Sequence, residues 1–403
     1  MSEQPLSAIK VVELAEYVTG PYTGKFFADL GAEVIKVEEP SVGDLSRKEG
    51  PFPSDVPDPE RSGQFLYLNT NKLGITLDVK TATGRDILKQ LLTDADLFVH
   101  DRPPMFMKTL GLDYESLKEL NRRLVMTSIS PFGQTGPYRD YKAYDINISA
   151  AAGVTHRQGR PGREPLSMPA YQASYFAGVC AAGATMCALY ARDIGGSGMG
   201  QHVDVSQEGA LIAVTGLSMG ATVIRQQVAG RLGHRIAVIW PYAALPVKDG
   251  VFYICSLTEQ HWQTWVKVMG DPEWARDPRY ETQYKRGAVP DEMERLVEPW
   301  LMSHTKAEFE QLCREHHLPW KPMQTIEELF EHDQLKARDF FIEVDHPKAG
   351  RLRYPGSPVK CSTMRWKIKS PAPLLGQHNE EVFCHRLGYT KQDLVNMSRT
   401  GII

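Results

Sequence analysis

The chain has 403 residues, enough for two domains or one large elaborated one. Apolar residues make up 42% and charged residues 24%, an ordinary balance for a globular protein. A net charge of −3 gives no electrostatic reason to expect nucleic acid or an anionic membrane as partner, although a local basic cluster could still hold a phosphorylated ligand.

The first forty residues read as strand, helix, strand. Ile9–Leu14 is a short apolar strand, and Thr19–Gly24 is a turn running into a helix. Pro21 suits the first helical turn, where its missing N–H is not needed. Phe26, Phe27 and Leu30 share one side, Gly31 takes the C′ position, and Ala32–Val37 is the next strand. A crossover of this length predicts a parallel pair. The alternation continues with a helix over 84–95, a strand over 96–100, a helix over 114–123 and a strand over 124–129. A long helix follows over 175–192, then a strand over 201–205 and a helix over 207–225. This order predicts an α/β fold, a doubly wound Rossmann-like large domain. Past residue 226 the texture changes to two short strands around Lys248-Asp-Gly250 and helices over 262–269, 290–303 and 305–315. The expected division is a large domain over 1–225, a smaller α+β domain over 226–324, and a segment over 325–403 that returns to the first.

The six cysteines, Cys180, Cys187, Cys255, Cys313, Cys361 and Cys384, form no C-x-x-C pair, zinc knuckle or disulfide framework. Cys180 and Cys187 read as core thiols of a buried helix, in keeping with a reducing compartment. The start, Met-Ser-Glu-Gln-Pro, has no basic-then-apolar leader pattern, so a cytoplasmic protein without a membrane anchor is expected. The first strand–helix turn carries Gly20 and Gly24 but no G-x-G-x-x-G, and no P-loop or H-E-x-x-H occurs. His316-His317 reads as a surface pair and no metal site is expected.

Longer segments carry a resemblance. They are Val11-Val-Glu-Leu ahead of Gly20-Pro, Leu30 to Glu38, Gly43-Asp44, Asn69-Thr-Asn-Lys72, Phe132 to Tyr138, Ala143-Tyr-Asp145, Met199 to Asp204 and Ala372 to His378. Together, in this order, the chain resembles the family III CoA-transferases (CaiB/BaiF, formyl-CoA transferase-like). The resemblance implies two subunits interlocked like chain links. It implies CoA or acyl-CoA as substrate, with no prosthetic group. It brings Val18, Thr19, Lys72, Arg102, Lys108, Lys142, Tyr144 and Asp145 to the CoA site, because phosphates call for basic groups near strand ends and helix starts.

In that family an aspartate stands where this chain has Ser174. The carboxylate attacks the acyl-CoA thioester and forms a mixed anhydride, a carrier reactive enough to keep exchange reversible. A serine hydroxyl needs a neighbouring base and makes a less reactive ester, so Ser174 reads as a helix N-cap ahead of Tyr175-Phe176 and not as a nucleophile. The racemases of the family also lose their second proton carrier, because Tyr144 stands at their histidine. The resemblance therefore implies the aspartate-free subunit of a two-subunit enzyme, such as succinyl-CoA:(R)-benzylsuccinate CoA-transferase of anaerobic toluene breakdown, partnered by a homologous aspartate-bearing chain. The alternatives are a homomeric acyl-CoA enzyme (lyase, isomerase, hydrolase or carnitine-type CoA-transferase) in which Ser174, Asp145 or His202 acts as base or nucleophile, and a CoA-binding scaffold. Trp240-Pro-Tyr242 could line an aryl pocket or belong to a core.

Overall fold

A computed structural model describes residues 4–235, 239–364 and 366–403. Residues 1–3, part of the N-terminal stretch with no leader pattern, lie outside it. The chain forms two compact units. One comprises residues 1–154, 167–220 and 337–403, the other 155–166 and 221–336. Residues 155–166, which the texture of the sequence leaves in the large domain, thus cluster with the second unit.

The first unit is built on six parallel strands: β1 (Lys10–Leu14), β2 (Glu33–Glu38), β3 (Lys72–Thr76), β4 (Leu97–His100), β5 (Val125–Ser130) and β6 (His202–Ser206). Their order is β3-β2-β1-β4-β5-β6, so the winding reverses between β1 and β4. Alternation along the strands covers both faces, as a parallel sheet requires. Val12, Leu14, Ile35, Phe98 and Met126 face the helix Ala82–Leu92 and the C-terminal residues Val382, Phe383 and Met397. Val11, Val34, Val99 and Val125 face the helices Thr19–Asp29 and Gln172–Asp193. Residues 372–379 run along the open edge of β3: Gly74 N–H donates to His378 Nδ1 (3.0 Å) and Thr76 N–H to Asn379 Oδ1 (2.9 Å). That cover blunts an edge that would otherwise pair with another chain.

The helix Gln172–Asp193 is long and apolar enough to span a bilayer, but half of it is buried within the protein, as in a core helix. The core-thiol expectation is corrected for Cys187, which is exposed, while Cys180 is half-buried. Val179, Met186, Tyr190 and Ile194 stay exposed as well.

In the second unit, β7 (Tyr242–Val247), β8 (Gly250–Cys255) and β9 (Lys321–Pro322) form a small antiparallel sheet. It packs with the helices Glu259–Val268, Pro290–Met302 and Lys306–Glu315 around Trp240, Trp262, Trp265 and Trp320. Trp240 belongs to this core. The first unit ends with the hairpin β10 (Phe341–His346) and β11 (Gly350–Pro355) and the helix Lys391–Arg399.

Candidate active site

In an open doubly wound sheet, ligands sit at the carboxyl ends of the strands where the winding reverses. Here that crevice lies beyond β1 and β4. From β1 the chain enters Ala15–Val18 and the helix Thr19–Asp29; from β4 it enters Asp101 and Arg102.

The β1 turn rests on buried charge. Glu13 and Lys36 share a face with Val11 and Val34, beneath the helix, and Lys72 reaches in from β3. Lys36 Nζ lies 3.1 Å from Glu13 Oε1 and 2.7 Å from Asp44 Oδ2, and donates to Ala15 O at 2.9 Å. Lys72 Nζ lies 2.8 Å from Glu13 Oε2 and donates to Pro21 O (2.8 Å) and Asn69 Oδ1 (2.9 Å). Burial lowers the basicity of both lysines. Asp44 and Glu13 outweigh it for Lys36, which is raised, while Lys72 falls to about 8 because Glu13 offsets burial only in part. Lys72 is therefore not a surface cation facing a phosphate, as the resemblance implied. Its ammonium is enclosed and holds three acceptors of the protein itself.

The same packing explains the two glycines of the turn. A Cβ on Gly20 would lie 2.2 Å from Ala15 Cβ, and one on Gly24 would lie 1.8 Å from Glu13 Oε2. They let the helix close onto the strand and its charges. Val18 caps that helix without a side-chain hydrogen bond and, like Thr19, is buried. Thr19 Oγ1 accepts from Gln207 Nε2 at 2.9 Å. Neither side chain is open to solvent in this chain, so a ligand here would meet the unsatisfied first-turn N–H groups.

Across the crevice, Asp101 Oδ2 accepts from Glu16 N–H at 2.8 Å, and Arg102 Nη1 pairs with Glu16 Oε1 at 2.7 Å. Burial pushes the Asp101 carboxyl up to about 7, against the pull of Arg102. Arg102 is thus at the crevice and engaged with Glu16. Lys108 is exposed on the helix Pro104–Thr109 that follows β4, and Lys142 is exposed on the loop after β5.

Tyr17 joins the crevice to the long helix. Its backbone is left-handed (φ 71°), and Asp44 Oδ1 accepts its N–H at 2.8 Å. Its hydroxyl lies 2.9 Å from that of Tyr171, itself left-handed at φ 56°, and the rings meet edge to face. Left-handed aromatic residues store strain of roughly 1–3 kcal/mol each, a cost found mostly at functional sites.

Tyr171, not Ser174, is the N-cap of the helix Gln172–Asp193. Ser174 lies in the first turn, 5% exposed, and its N–H donates to Asp145 Oδ1 at 2.8 Å. Among the described residues no histidine, lysine or carboxylate is hydrogen-bonded to its hydroxyl. Asp145 opens a short helix, Asp145–Ala151, that periodicity did not reveal. The neighbouring Tyr144 is 69% exposed, and its N–H donates to Asn147 Oδ1 at 3.0 Å. The other candidate base, His202, is tied into the sheet. Ser128 Oγ bridges His202 Nε2 (2.8 Å) and His100 Nε2 (2.6 Å), and Arg102 N–H donates to His100 Nδ1. Burial, with His202 and Arg102 nearby, lowers His100 to about 3, so it stays neutral. Its Nδ1 acceptor fixes the proton on Nε2, and Ser128 then donates to His202.

The structure thus gathers Val18, Thr19 and Arg102 at one crevice and joins Asp145 to Ser174. Lys72 lies in the interior, and Lys108, Lys142 and Tyr144 are solvent-facing. Sequence patterning missed Tyr17, Asp101 and Tyr171. Glu13 and Lys36 did carry a signal, since each is a charge flanked on both sides by apolar residues within a strand.

The fold is that of the doubly wound α/β class, with its crevice at the β1–β4 switch point. Residues 6–379 match the CoA-transferase family III, and the chain belongs to that family. It is 31% identical to the succinate–glutarate CoA-transferase of Agrobacterium fabrum, covering 94% of each chain. It is 30% identical to the BbsE subunit of succinyl-CoA:(R)-benzylsuccinate CoA-transferase of Thauera aromatica, covering 99% of this chain and 98% of that one. A crystal structure of a CaiB/BaiF family protein from Brucella suis superposes with a TM-score of 0.84 at 30% identity, covering 95% of this chain and all of that one. The protein is a family III CoA-transferase; its substrates are CoA thioesters and carboxylic acids, and it uses no prosthetic group.

Proposed function

We propose that this chain is the aspartate-free subunit of a heteromeric CoA-transferase. The complex moves CoA between an acyl-CoA such as succinyl-CoA and a carboxylic acid such as an arylsuccinate. A homologous subunit bearing the aspartate interlocks with it in the cytoplasm. One residue carries the proposal: Ser174 stands where the family resemblance puts the acyl-carrying aspartate, no base among the described residues is hydrogen-bonded to its hydroxyl, and its N–H is spent on Asp145. Without a base, a serine hydroxyl is almost wholly protonated at neutral pH and a poor nucleophile toward a thioester. The likeness to the BbsE subunit supports the two-subunit arrangement. The open face of the long helix, with Val179, Met186, Tyr190 and Ile194, supports a partner chain.

A second interpretation has one specific observation in its favour. The Asp145 carboxylate sits at the start of a 22-residue helix, where the dipole favours the anion, so a homomeric enzyme could use it in place of the missing aspartate. The test is affinity capture of the tagged chain from its own cells, followed by mass spectrometry. A stoichiometric family member with aspartate at the position matching Ser174 is expected. Capture of the chain as a homomer that turns over succinyl-CoA and loses that activity as Asp145→Asn would favour the second interpretation.

A further inference from the structure

The second unit carries a basic cluster outside the switch-point crevice. Residues 155–166 and 226–235 contain five arginines and one acid, Glu164. Arg160-Pro-Gly-Arg163 is a tight turn, with Gly162 at φ 72° and Arg163 N–H donating to Arg160 O at 3.2 Å. The turn places the two arginine Cα atoms within about 7 Å of each other. Arg231 lies against it: Nε donates to Arg160 O (3.4 Å) and Nη1 to His156 O (3.3 Å). Gly233 N–H donates to Gly159 O at 3.0 Å. A Cβ on Gly159, at φ 108°, would lie 3.0 Å from Glu164 O and 3.4 Å from Arg231 Cδ, so the loop closes tightly on this arginine. Arg160 leans over Gly233, its Cγ 3.6 Å from where a Cβ would stand.

Among the described residues, none of Arg160, Arg163 and Arg231 has a carboxylate within ion-pair distance. The neighbouring Arg235 contrasts with them, since Glu294 Oε1 lies 2.7 Å from its Nε. Arg47, Arg102, Arg192 and Arg286 each hold a carboxylate too. Like charges gathered without a counter-charge repel, and a bound dianion relieves that repulsion. The guanidinium fork fits the oxygens of a tetrahedral oxyanion, and three forks suit a phosphate better than a single carboxylate.

We propose that Arg160, Arg163 and Arg231 form a phosphate-binding site on the second unit. The phosphate is either one of CoA's own or a free phosphate. The site is independent of whether the chain acts alone or with a partner subunit.

Calorimetry on the full chain at low salt, with CoA and with inorganic pyrophosphate, tests it. The wild type is compared with the double variant Arg160→Gln, Arg163→Gln. Both residues are exposed, and an unchanged melting temperature verifies that the variant is folded. The variant is expected to bind at least roughly tenfold more weakly, the loss of two charge-assisted contacts. Weakened CoA binding, with or without weakened pyrophosphate binding, assigns the site to CoA's phosphates. Weakened pyrophosphate binding alone assigns it to a free phosphate. Undiminished binding of both, or no saturable binding to the wild type, overturns the proposal.

Discussion

Ser174 gives Asp145 its backbone N–H and keeps an unassisted hydroxyl, so its side chain has nothing to lose in the exchange reaction. In the reconstituted complex, Ser174→Ala is expected to leave the rate of CoA exchange within about twofold, since it removes no activated nucleophile. A loss of a hundredfold would make the serine catalytic. Asp101 gives a pH prediction. Its folded pKa of about 7 stands above the ordinary 3.8. The contribution of this carboxyl is fully present below pH 3.8 and is lost as the pH rises through 7, where the buried anion must form. Asp101→Asn keeps an acceptor for Glu16 N–H and removes that anion. The variant should therefore gain more stability over wild type at pH 8.5 than at pH 5, the difference being at most ~3 kcal/mol for the two pKa units between pH 5 and the folded pKa at ~1.4 kcal/mol each. Urea melts at the two pH values measure it; an equal effect at both would contradict the buried, protonated carboxyl. At this scale the sequence exposed the vacated position 174 but not its partner. Ser174 and Asp145 are 29 residues apart and meet only through the fold. Asp101 resembles any surface aspartate at a strand end, and nothing local marks its burial.

The β1 turn is held from beneath by Glu13, which Lys36 and Lys72 share. Glu13→Gln leaves two ammonium groups with less counter-charge in an enclosed site. Breaking such a buried pair costs about 3–5 kcal/mol, visible as a lower urea midpoint and, in CoA titration, as weaker binding at the crevice. A variant as stable as wild type would refute this role. Strands β1 and β2 were legible because apolar runs bounded by turns leave few alternatives. Strand β3 was not, because Lys72 and Gly74 break its apolar pattern; its lysine enters the charge array and its glycine admits Pro373, whose Cγ would lie 2.7 Å from a Cβ there. The single helix expected over 207–225 is two, Gln207–Ala213 and Gly216–Arg225. Thr215 ends the first by donating both its N–H and its hydroxyl to Ile212 O at 2.8 Å, ahead of Gly216.

Two units account for the change in texture near residue 226, although 155–166 cluster with the second unit and only the fold shows it. That segment is polar and turn-rich, without the periodicity that assigns chain to a core. The second unit stands on its own aromatic core, with Arg286 buried over Trp262 at 4.5 Å and paired with Glu259. Arg286→Met is expected to lower the melting temperature of the second unit, because Glu259 and the Trp240 and Tyr280 carbonyls lose their donor. Scanning calorimetry with an unchanged transition would contradict that. The central claim concerns the whole molecule: the family scaffold is intact, and we propose that the acyl carrier lies on another chain. The direct measurement is CoA exchange between succinyl-CoA and a dicarboxylic acid, by the purified chain alone and after addition of the proposed aspartate-bearing subunit. The account predicts no turnover by the isolated chain and full turnover on mixing. Full turnover by the isolated chain would contradict it.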